Sequence, residues 1–212
     1  MIKLNGKNQL RVAVLFESSG TVRDAFIRLG HYAVSYDILP SETEGPHVMG
    51  DIRSHLWTWK HCDLVIAHPP CTHIAVSGNR HYAGTKERQL ASELIDYVWQ
   101  IPVARLAIEN PVGQINTYLP HLPRPYYIQP WQFGHSESKK TGLWTRGLPR
   151  LKPTNILKLP PCGHWDNQTP SRQNKLGPSP DRAKIRSRTY PGIAEAIASQ
   201  WSNYILKEIA GG

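Results

Sequence analysis

A cysteine and a glutamate each stand just beyond a short apolar segment of the sequence. Cys71 follows two prolines after the run 63–67, and Glu109 follows the run 105–108. A partly exposed cysteine stabilised as a thiolate is a nucleophile, and a carboxyl group at the end of a buried strand needs a partner or a chemical role. The thiolate can attack a carbon of an electron-poor ring while the carboxyl group supplies a proton or hydrogen bond to a ring nitrogen. A buried structural cysteine is the alternative, and it is our interpretation of Cys62.

The loop of residues 16–20, together with Asp37, has the character of a nucleoside-cofactor site. Small residues in a strand-to-helix loop let a ligand approach the backbone, and an acidic residue after the second strand can accept hydrogen bonds from a ribose. Gly20 is the only glycine of this loop and no Walker lysine follows, so the phosphate-binding patterns are not met. A cofactor without phosphates, such as S-adenosylmethionine, suits the loop better. An ordinary turn with an N-capping serine is the alternative.

Apolar segments alternate with helical patterns along the first half of the chain. Predicted strands cover residues 10–16, 33–36, 63–67 and 105–108, and predicted helices cover residues 21–29, 87–100 and 191–209. This alternation predicts right-handed β-α-β units, and hence an α/β fold with an open, mostly parallel sheet and flanking helices. The carboxyl ends of parallel strands meet at one edge of a sheet, which would bring the polar residues described above together.

Composition and charge narrow the class of protein. The chain has 212 residues, of which 40% are hydrophobic, and 25 lysines and arginines against 16 aspartates and glutamates give a net charge of +9. These values predict one folded domain with an appendage, exclude a wholly disordered chain and favour a polyanionic partner. The sequence shows no apolar run of about 18 residues, no secretory signal and no disulfide framework. We therefore expect a cytoplasmic protein without a membrane segment.

The character of the sequence changes after residue 147. We predict a catalytic α/β core over residues 1–147, a proline-rich basic segment over residues 148–184, and a C-terminal helix over residues 185–212 that returns to the core. Basic residues are concentrated late in the chain, and Trp131, Trp144 and Trp165 are interleaved with them. Phosphate contacts combined with aromatic stacking are typical of nucleic-acid binding. A solvated basic face with core tryptophans is the alternative.

The order of these motifs resembles that of the catalytic domain of cytosine-C5 DNA methyltransferases, especially the short versions of phages and prophages. The resemblance covers residues 10–205, with residues 148–182 unmatched. The matching motifs are, in order, LFESSG with Gly20, Asp37, Gly50-Asp51-Ile52, PPCT around Cys71, Glu109-Asn110, GHSESKKTGLW and RTYPGIAEAIASQW. The resemblance implies a Rossmann-like methyltransferase fold, S-adenosylmethionine as cofactor and cytosine in DNA as substrate.

The resemblance also implies roles for individual residues. Cys71 would attack C6 of the cytosine and Glu109 would engage N3, and a base in a duplex must first be flipped out. Asp37 would hold the ribose and Asp51 the adenine amino group. The full set of implied cofactor-binding residues is Phe16, Glu17, Ser18, Gly20, Asp37, Asp51 and Pro69. The implied substrate-binding residues are Pro70, Asn110, Lys139, Lys140, Arg186 and Arg188, of which Asn110 would support the loop of Glu109.

The sequence departs from the family pattern in three respects. Ser18 stands where the family has a glycine, and Glu17 replaces a small residue. A glutamine-and-two-arginines motif is represented only by Glu137, Lys139 and Thr141. The large target-recognition domain is missing, and only residues 148–182 take its place. We therefore expect low or short sequence specificity, a duplex or single-stranded DNA substrate, and a monomer in the cytoplasm of a bacterial host cell.

Three other functions remain open on the sequence. A methyltransferase acting on an exocyclic amine would place an Asp or Asn before the two prolines and an aromatic residue after them, where this chain has His68 and Cys71. A structural zinc site needs four ligands, so the cluster of His68, Cys71 and His73 would have to meet that of Cys162 and His164. The chain could also be a catalytically inactive or altered methyltransferase-like protein that binds nucleic acid or performs another modification at C5.

Overall fold

A single sheet organises the part of the chain that the structure describes. The computed structural model describes residues 8–55, 59, 61–76, 79–177, 179 and 182–211. The strands lie in the spatial order β3 (His47–Met49), β2 (Tyr32–Asp37), β1 (Arg11–Leu15), β4 (Leu64–Ala67), β5 (Leu106–Pro111), β7 (Thr141–Arg146) and β6 (Tyr126–Ile128). The first five run parallel, and β7 is antiparallel to both of its neighbours. The strand order reverses between β1 and β4, where open sheets of this kind bind ligands.

Helices cover both faces of the sheet. They are α1 (Thr21–Arg28), α2 (Asn79–Tyr82), α3 (Lys86–Trp99), α4 (Ile115–Tyr118), α5 (Arg182–Ser187) and α6 (Pro191–Gly211), with short 3-10 helices at Ile52–His55 and Pro130–Gln132. Helices α1 and α6 share one apolar core with Val12 and Val14 of β1. Helices α3 and α4 share the other core with Ala13 and Leu15. Because both faces of β1 are buried after its exposed first residue, Arg11, residues 12–15 form a continuous apolar run.

The open, mostly parallel sheet with flanking helices confirms the predicted Rossmann-like α/β fold. The predicted strands correspond to β1, β2, β4 and β5, and the predicted helices to α1, α3 and α6. Strands β3, β6 and β7 were not predicted, since β3 and β6 have three residues each and β7 contains a glycine and only two large apolar residues. Strand β5 also continues beyond its predicted end, because β7 pairs with it as far as Pro111.

The segment after β7 has little regular structure. Residues 148–177 form only isolated bridges, and most of their side chains are exposed. Helix α6 then returns to the sheet, and the indole of Trp201 donates a hydrogen bond to the Pro149 carbonyl at 3.0 Å. Within the described ranges, no helix is both long and apolar enough to cross a membrane.

Candidate active site

The strand register aligns four polar or aromatic positions at the carboxyl edge of the sheet. The last shared row of β1, β2, β4 and β5 consists of Leu15, Tyr36, Ala67 and Ile108. The next residues along these strands are Phe16, Asp37, His68 and Glu109. Phe16, Asp37 and Glu109, which were predicted as site residues, thus lie in one row across the carboxyl edge of the sheet, together with His68. Glu109 and Asn110 belong to β5 itself, which corrects their expected place beyond the strand.

Asn110 joins the strand of Glu109 to the loop of Cys71. The buried Asn110 side chain donates a hydrogen bond from Nδ2 to the Pro69 carbonyl at 2.8 Å. The Cys71 carbonyl in turn accepts hydrogen bonds from the backbone N–H groups of Ile74 and Ala75, at 3.1 and 2.8 Å. These bonds fix the Cys71 backbone beside β5. Pro69 is buried, whereas Pro70 is exposed at the tip of the loop.

Opposing effects set the ionisation of the Cys71 thiol. Burial raises the pKa of Cys71, and the nearby Glu109 carboxylate raises it further. The positive charges of Lys139 and Arg186 lower it, but they do not overcome the other two effects. The thiol is therefore mostly protonated at neutral pH in this state, and the stabilised thiolate that a nucleophile requires is not yet present. Lys139 and Arg186 nevertheless lie where they would stabilise it once formed.

The Glu109 carboxyl group is buried but remains ionised. Burial acts to raise its pKa, but a hydrogen bond from His68, the charge of Lys139 and a hydrogen bond from Thr141 together hold the pKa below its usual range. The Nδ1 atom of His68 lies 2.9 Å from Oε2 of Glu109, and the two side chains are only 8% and 10% exposed. Because an ionised carboxylate only accepts hydrogen bonds, Nδ1 of His68 carries the hydrogen.

The loop of residues 16–20, called the first loop below, is filled by protein side chains. Phe16 has φ of +59°, a left-handed conformation that is uncommon outside glycine and is frequent at functional sites. The Glu17 carboxylate accepts hydrogen bonds from the backbone N–H groups of Val22 and Arg23, at 2.6 and 3.1 Å. It therefore caps the N-terminus of α1. Burial is the main cause that raises the pKa of Glu17.

The chain after β2 folds back over this loop. The Ser18 carbonyl accepts a hydrogen bond from the Glu42 backbone at 2.8 Å. Gly20 has φ of +71°, and a Cβ atom at this position would lie 2.4 Å from both the Arg23 guanidinium and the Thr43 hydroxyl. The positive φ and this close packing of protein side chains both favour glycine at this position.

Two carboxylates lie at the carboxyl ends of β2 and β3. Asp37 is the last residue of β2, the strand that it was expected to follow, and Asp51 comes two residues after β3. Asp37 accepts a hydrogen bond from the Leu39 backbone at 3.0 Å through Oδ1, and its carbonyl accepts one from Gly50 at 2.8 Å. Asp51 accepts hydrogen bonds from the Arg53 backbone and guanidinium, which lower the pKa of Asp51 to about 2. Both carboxylates are partly exposed at the edge where a nucleoside is expected.

The predicted substrate-binding lysines and arginines separate into two groups. Lys139 and Arg186 act on Cys71, as described above. Lys140 instead lies over the Tyr127 ring, 4.5 Å from its centroid, and the Arg188 guanidinium forms an ion pair with Glu42. Glu42 also binds Lys184 at 3.3 Å.

The loose motif of Glu137, Lys139 and Thr141 divides in the same way. Lys139 and Thr141 act on Glu109. The Glu137 carboxylate instead accepts a hydrogen bond from the Tyr190 hydroxyl at 2.5 Å. Lys139 and Thr141 therefore help to keep Glu109 ionised, whereas Glu137 bonds to Tyr190 instead.

Two of the three interleaved tryptophans are available for stacking. The rings of Trp131 and Trp165 are parallel within 1°, with centroids 5.7 Å apart, and both side chains are half-buried. Trp165 belongs to the proline-rich segment. The backbone N–H of the next residue, Asp166, donates a hydrogen bond to the Ser136 carbonyl at 2.8 Å and holds this part of the segment in place. Trp144 is a core residue, buried and bonded through Nε1 to Asn116 at 2.9 Å. For Trp144 the structural alternative is correct.

The two clusters considered for metal binding stay small. Cys162 lies 3.9 Å from Nδ1 of His164, and His68 is engaged by Glu109. Among the residues that the structure describes, no group of three or more potential ligands comes together.

Comparisons with known proteins give likenesses to solved structures, two of which are described below. No family model matches the chain, and no curated protein matches it in sequence. A prophage-encoded E. coli protein described as a DNA modification methyltransferase is similar with a TM-score of 0.47 and 16% identity, covering 70% of this chain and 52% of that one. A triple mutant of DNMT2 from Spodoptera frugiperda is similar with a TM-score of 0.45 and 17% identity, covering 72% and 56%. The chain spans just over half the length of each.

Sequence reasoning overlooked His68 as part of the carboxylate site. The sequence suggested it as a metal ligand or as an outer position of an amine-methyltransferase motif, although it is the first polar residue after a fully buried strand. That position, in the same row as Phe16 and Glu109, was the signal that could have identified it.

Proposed function

We propose that this chain transfers a methyl group from S-adenosylmethionine to C5 of a cytosine in DNA. The observation that carries the proposal is the fixed pairing of Cys71 with Glu109 at adjacent strand ends, tied together by the hydrogen bond from Asn110 to Pro69. A structural cysteine would not need a buried carboxylate whose ionisation is maintained by His68, Thr141 and Lys139.

The proposed chemistry assigns a task to each group. The Cys71 thiolate attacks C6, and electron density from the C5–C6 bond is drawn towards N3, which takes a proton through Glu109. The added charge at the ring then makes C5 nucleophilic. The target base must be unstacked to reach the half-buried Cys71 thiol, so it is either flipped out of a duplex or presented by a single strand.

The nucleoside half of the cofactor fits the edge of β2 and β3. Asp37 would bind the ribose hydroxyls and the ionised Asp51 the adenine amino group, while Phe16, Gly20 and Pro69 would border the pocket. When bound, S-adenosylmethionine supplies an electrophilic methyl group. The capped N-terminus of α1 offers its amide groups to Glu17 rather than to a ligand, so the amino-acid half must be held by other groups.

Several features support nucleic acid as the partner. Lys139 and Arg186 lie beside the thiol, and basic residues can contact phosphates while the Trp131–Trp165 pair stacks on a base. Only the irregular residues 148–177 are available between β7 and α5 for sequence recognition within the described chain. We therefore expect weak or short sequence specificity.

Covalent trapping tests the proposal. DNA containing 5-fluorodeoxycytidine should form a stable adduct with the protein in the presence of S-adenosylmethionine, because fluorine at C5 blocks the final elimination. The adduct should map to Cys71 by peptide mass spectrometry and be absent with Cys71→Ser. Cys62→Ser is the matched control and should still form it. Identical behaviour of wild type and Cys71→Ser would show that Cys71 is not the nucleophile.

A nucleic-acid-binding protein without this catalysis is the second candidate. Two observations favour it: the raised pKa of the Cys71 thiol and the closure of the α1 N-terminus by Glu17. Titration calorimetry separates the candidates, because an enzyme of the proposed class should release or absorb heat on binding S-adenosylmethionine. No heat at millimolar cofactor, with intact DNA binding, would favour the binder or a different modification at C5.

A further inference from the structure

His68 links the two buried carboxyl groups of the site. Its Nδ1 donates to Glu109, and its side chain is more than nine-tenths buried. It also interacts electrostatically with Glu17 on the loop after β1. One imidazole thus stands between a carboxylate of β5 and a carboxyl group of the first loop.

The second ring nitrogen of His68, Nε2, makes no hydrogen bond within the part of the chain that the structure describes, although it is buried. Buried polar atoms are normally paired, and exceptions mark groups with a chemical task or a missing ligand. A histidine that served only to position Glu109 would not need to leave Nε2 unpaired.

Charged groups from several elements surround the His68 imidazole. Glu109 of β5 lies 2.9 Å from it, and Glu17 of the first loop interacts with it electrostatically. Lys139 acts on Glu109, Glu109 acts on Cys71, and Arg23 acts on Glu17. An imidazolium at this position would reduce the net negative charge that two buried carboxylates otherwise carry.

We propose that His68 holds the proton that Glu109 delivers to N3 of the cytosine. This inference rests on the proposed function and adds a residue to it. Glu109 is ionised and cannot donate a proton of its own, but the His68–Glu109 pair carries one transferable proton when His68 is an imidazolium. His68 acts through Glu109 and is therefore a positioning and proton-storing residue.

The proton and electron count closes. The Cys71 thiol first loses its proton to water. As sulfur bonds to C6, the C5–C6 π electrons form a C4–C5 double bond and the C4–N3 π electrons move to N3. Glu109 takes the Nδ1 proton of His68, which becomes neutral, and passes it to N3. C5 then accepts a methyl group or, without the cofactor, a proton from water, and water removes the hydrogen that C5 carried at the start. As the C6–S bond breaks, the N3 proton returns through Glu109 to His68 and the thiolate takes a proton from water. Water is the only other proton donor and acceptor, and no oxidant or reductant is needed.

Hydrogen exchange at C5 tests this without the cofactor. Attack at C6 makes C5 exchange its hydrogen with water, so DNA carrying tritium at C5 of cytosine should release it to solvent. We would measure the release rate from pH 5 to 9 for wild type, His68→Asn and His68→Gln. Asparagine can reproduce the Nδ1 donor to Glu109 but does not titrate. His121→Asn is the matched control, since His121 pairs with Asp96 at 2.8 Å on an exposed surface.

We expect the wild-type release rate to fall on the alkaline side of its pH profile. His68→Asn should be slower by about 100-fold and should lack that alkaline limb, whereas His121→Asn should match wild type. A His68→Asn variant with the wild-type rate and pH profile would overturn the inference. If wild type and Cys71→Ser release tritium equally, or neither releases it, the proposed function itself fails.

A measurement on the unmodified protein covers the case in which the variants do not fold. Nitrogen NMR of the His68 ring should show both nitrogens protonated at the pH of greatest tritium release. It should show loss of one proton over the range in which the release rate falls. A neutral ring throughout the active pH range would contradict the role of His68 as a proton store.

Discussion

The Glu17 carboxylate lies 2.6 Å from the backbone nitrogen of Val22, and so the chain itself occupies the N-terminus of α1. Helix N-termini at the switch point of open sheets usually offer their free amides to an anionic ligand. Here those amides are already paired. The distance gives Glu17 a structural task and leaves the other carboxylates at this edge, Asp37 and Asp51, for a ligand.

Replacing Glu17 should therefore lower stability through the helix cap. We expect Glu17→Ala to reduce the free energy of unfolding by about 0.5–2 kcal/mol, the usual value of an N-terminal cap, and Glu17→Gln to lose less because its amide oxygen can still accept. Urea unfolding at pH 7 measures both. An unchanged urea midpoint for Glu17→Ala would mean that the cap does not contribute to stability.

Replacing Arg23 should lower stability far more than replacing Arg28, which lies on the same helix. Its side chain is fully buried and its guanidinium donates to Ser35, Ser41 and Thr43 at 2.7–3.1 Å. Arg23→Met leaves these groups unsatisfied at about 1–3 kcal/mol each, so we expect a total loss of about 3 kcal/mol or more and faster proteolysis of residues 38–46. The exposed Arg28 offers the control, and Arg28→Met should change stability by less than about 0.5 kcal/mol. Equal losses in both variants would contradict the structure of this region.

Glu109 should make stability depend on pH in a defined direction. Its folded-state pKa lies below the ordinary value, so its contribution is present above that ordinary value and is lost as the pH falls through the folded pKa. We expect the difference in unfolding free energy between wild type and Glu109→Gln to move in favour of the variant as the pH falls from 6 to 3. Urea titrations at several pH values provide the measurement. A difference that stays constant with pH would show that Glu109 is not held ionised.

Trp165 should contribute to binding of single-stranded DNA. Stacking of a base on an aromatic ring is worth about 1–3 kcal/mol, so Trp165→Ala should weaken binding of a fluorescent oligonucleotide about fivefold or more at fixed salt. Trp165→Phe should retain most of the affinity. The exposed Tyr127 lies under Lys140 on β6, and Tyr127→Ala serves as the control. Wild-type affinity for Trp165→Ala would show that the stacked pair is not a binding surface.

Local sequence pattern was enough to predict four of the five parallel strands, β1, β2, β4 and β5, but not the three-residue β3. Strands buried on both faces must be apolar throughout, and helices that pack on one side must repeat every 3.6 residues, so β1, β4 and α6 could be predicted from local pattern alone. The same logic placed Asp37, Cys71 and Glu109 near one edge, because parallel strands end together. It could not extend β5 through Glu109, since that extension depends on pairing with β7, more than thirty residues further along the chain.

The contacts that each polar or aromatic residue of the candidate site makes depend on the tertiary structure. Residue types allowed Glu17 to be a ligand, His68 a metal ligand and Trp144 a stacking surface, whereas the fold makes them a helix cap, a partner of Glu109 and a core residue. The physical reason is that a buried hydrogen bond depends on which atoms the packed backbone brings within about 3 Å, and those atoms come from distant parts of the chain.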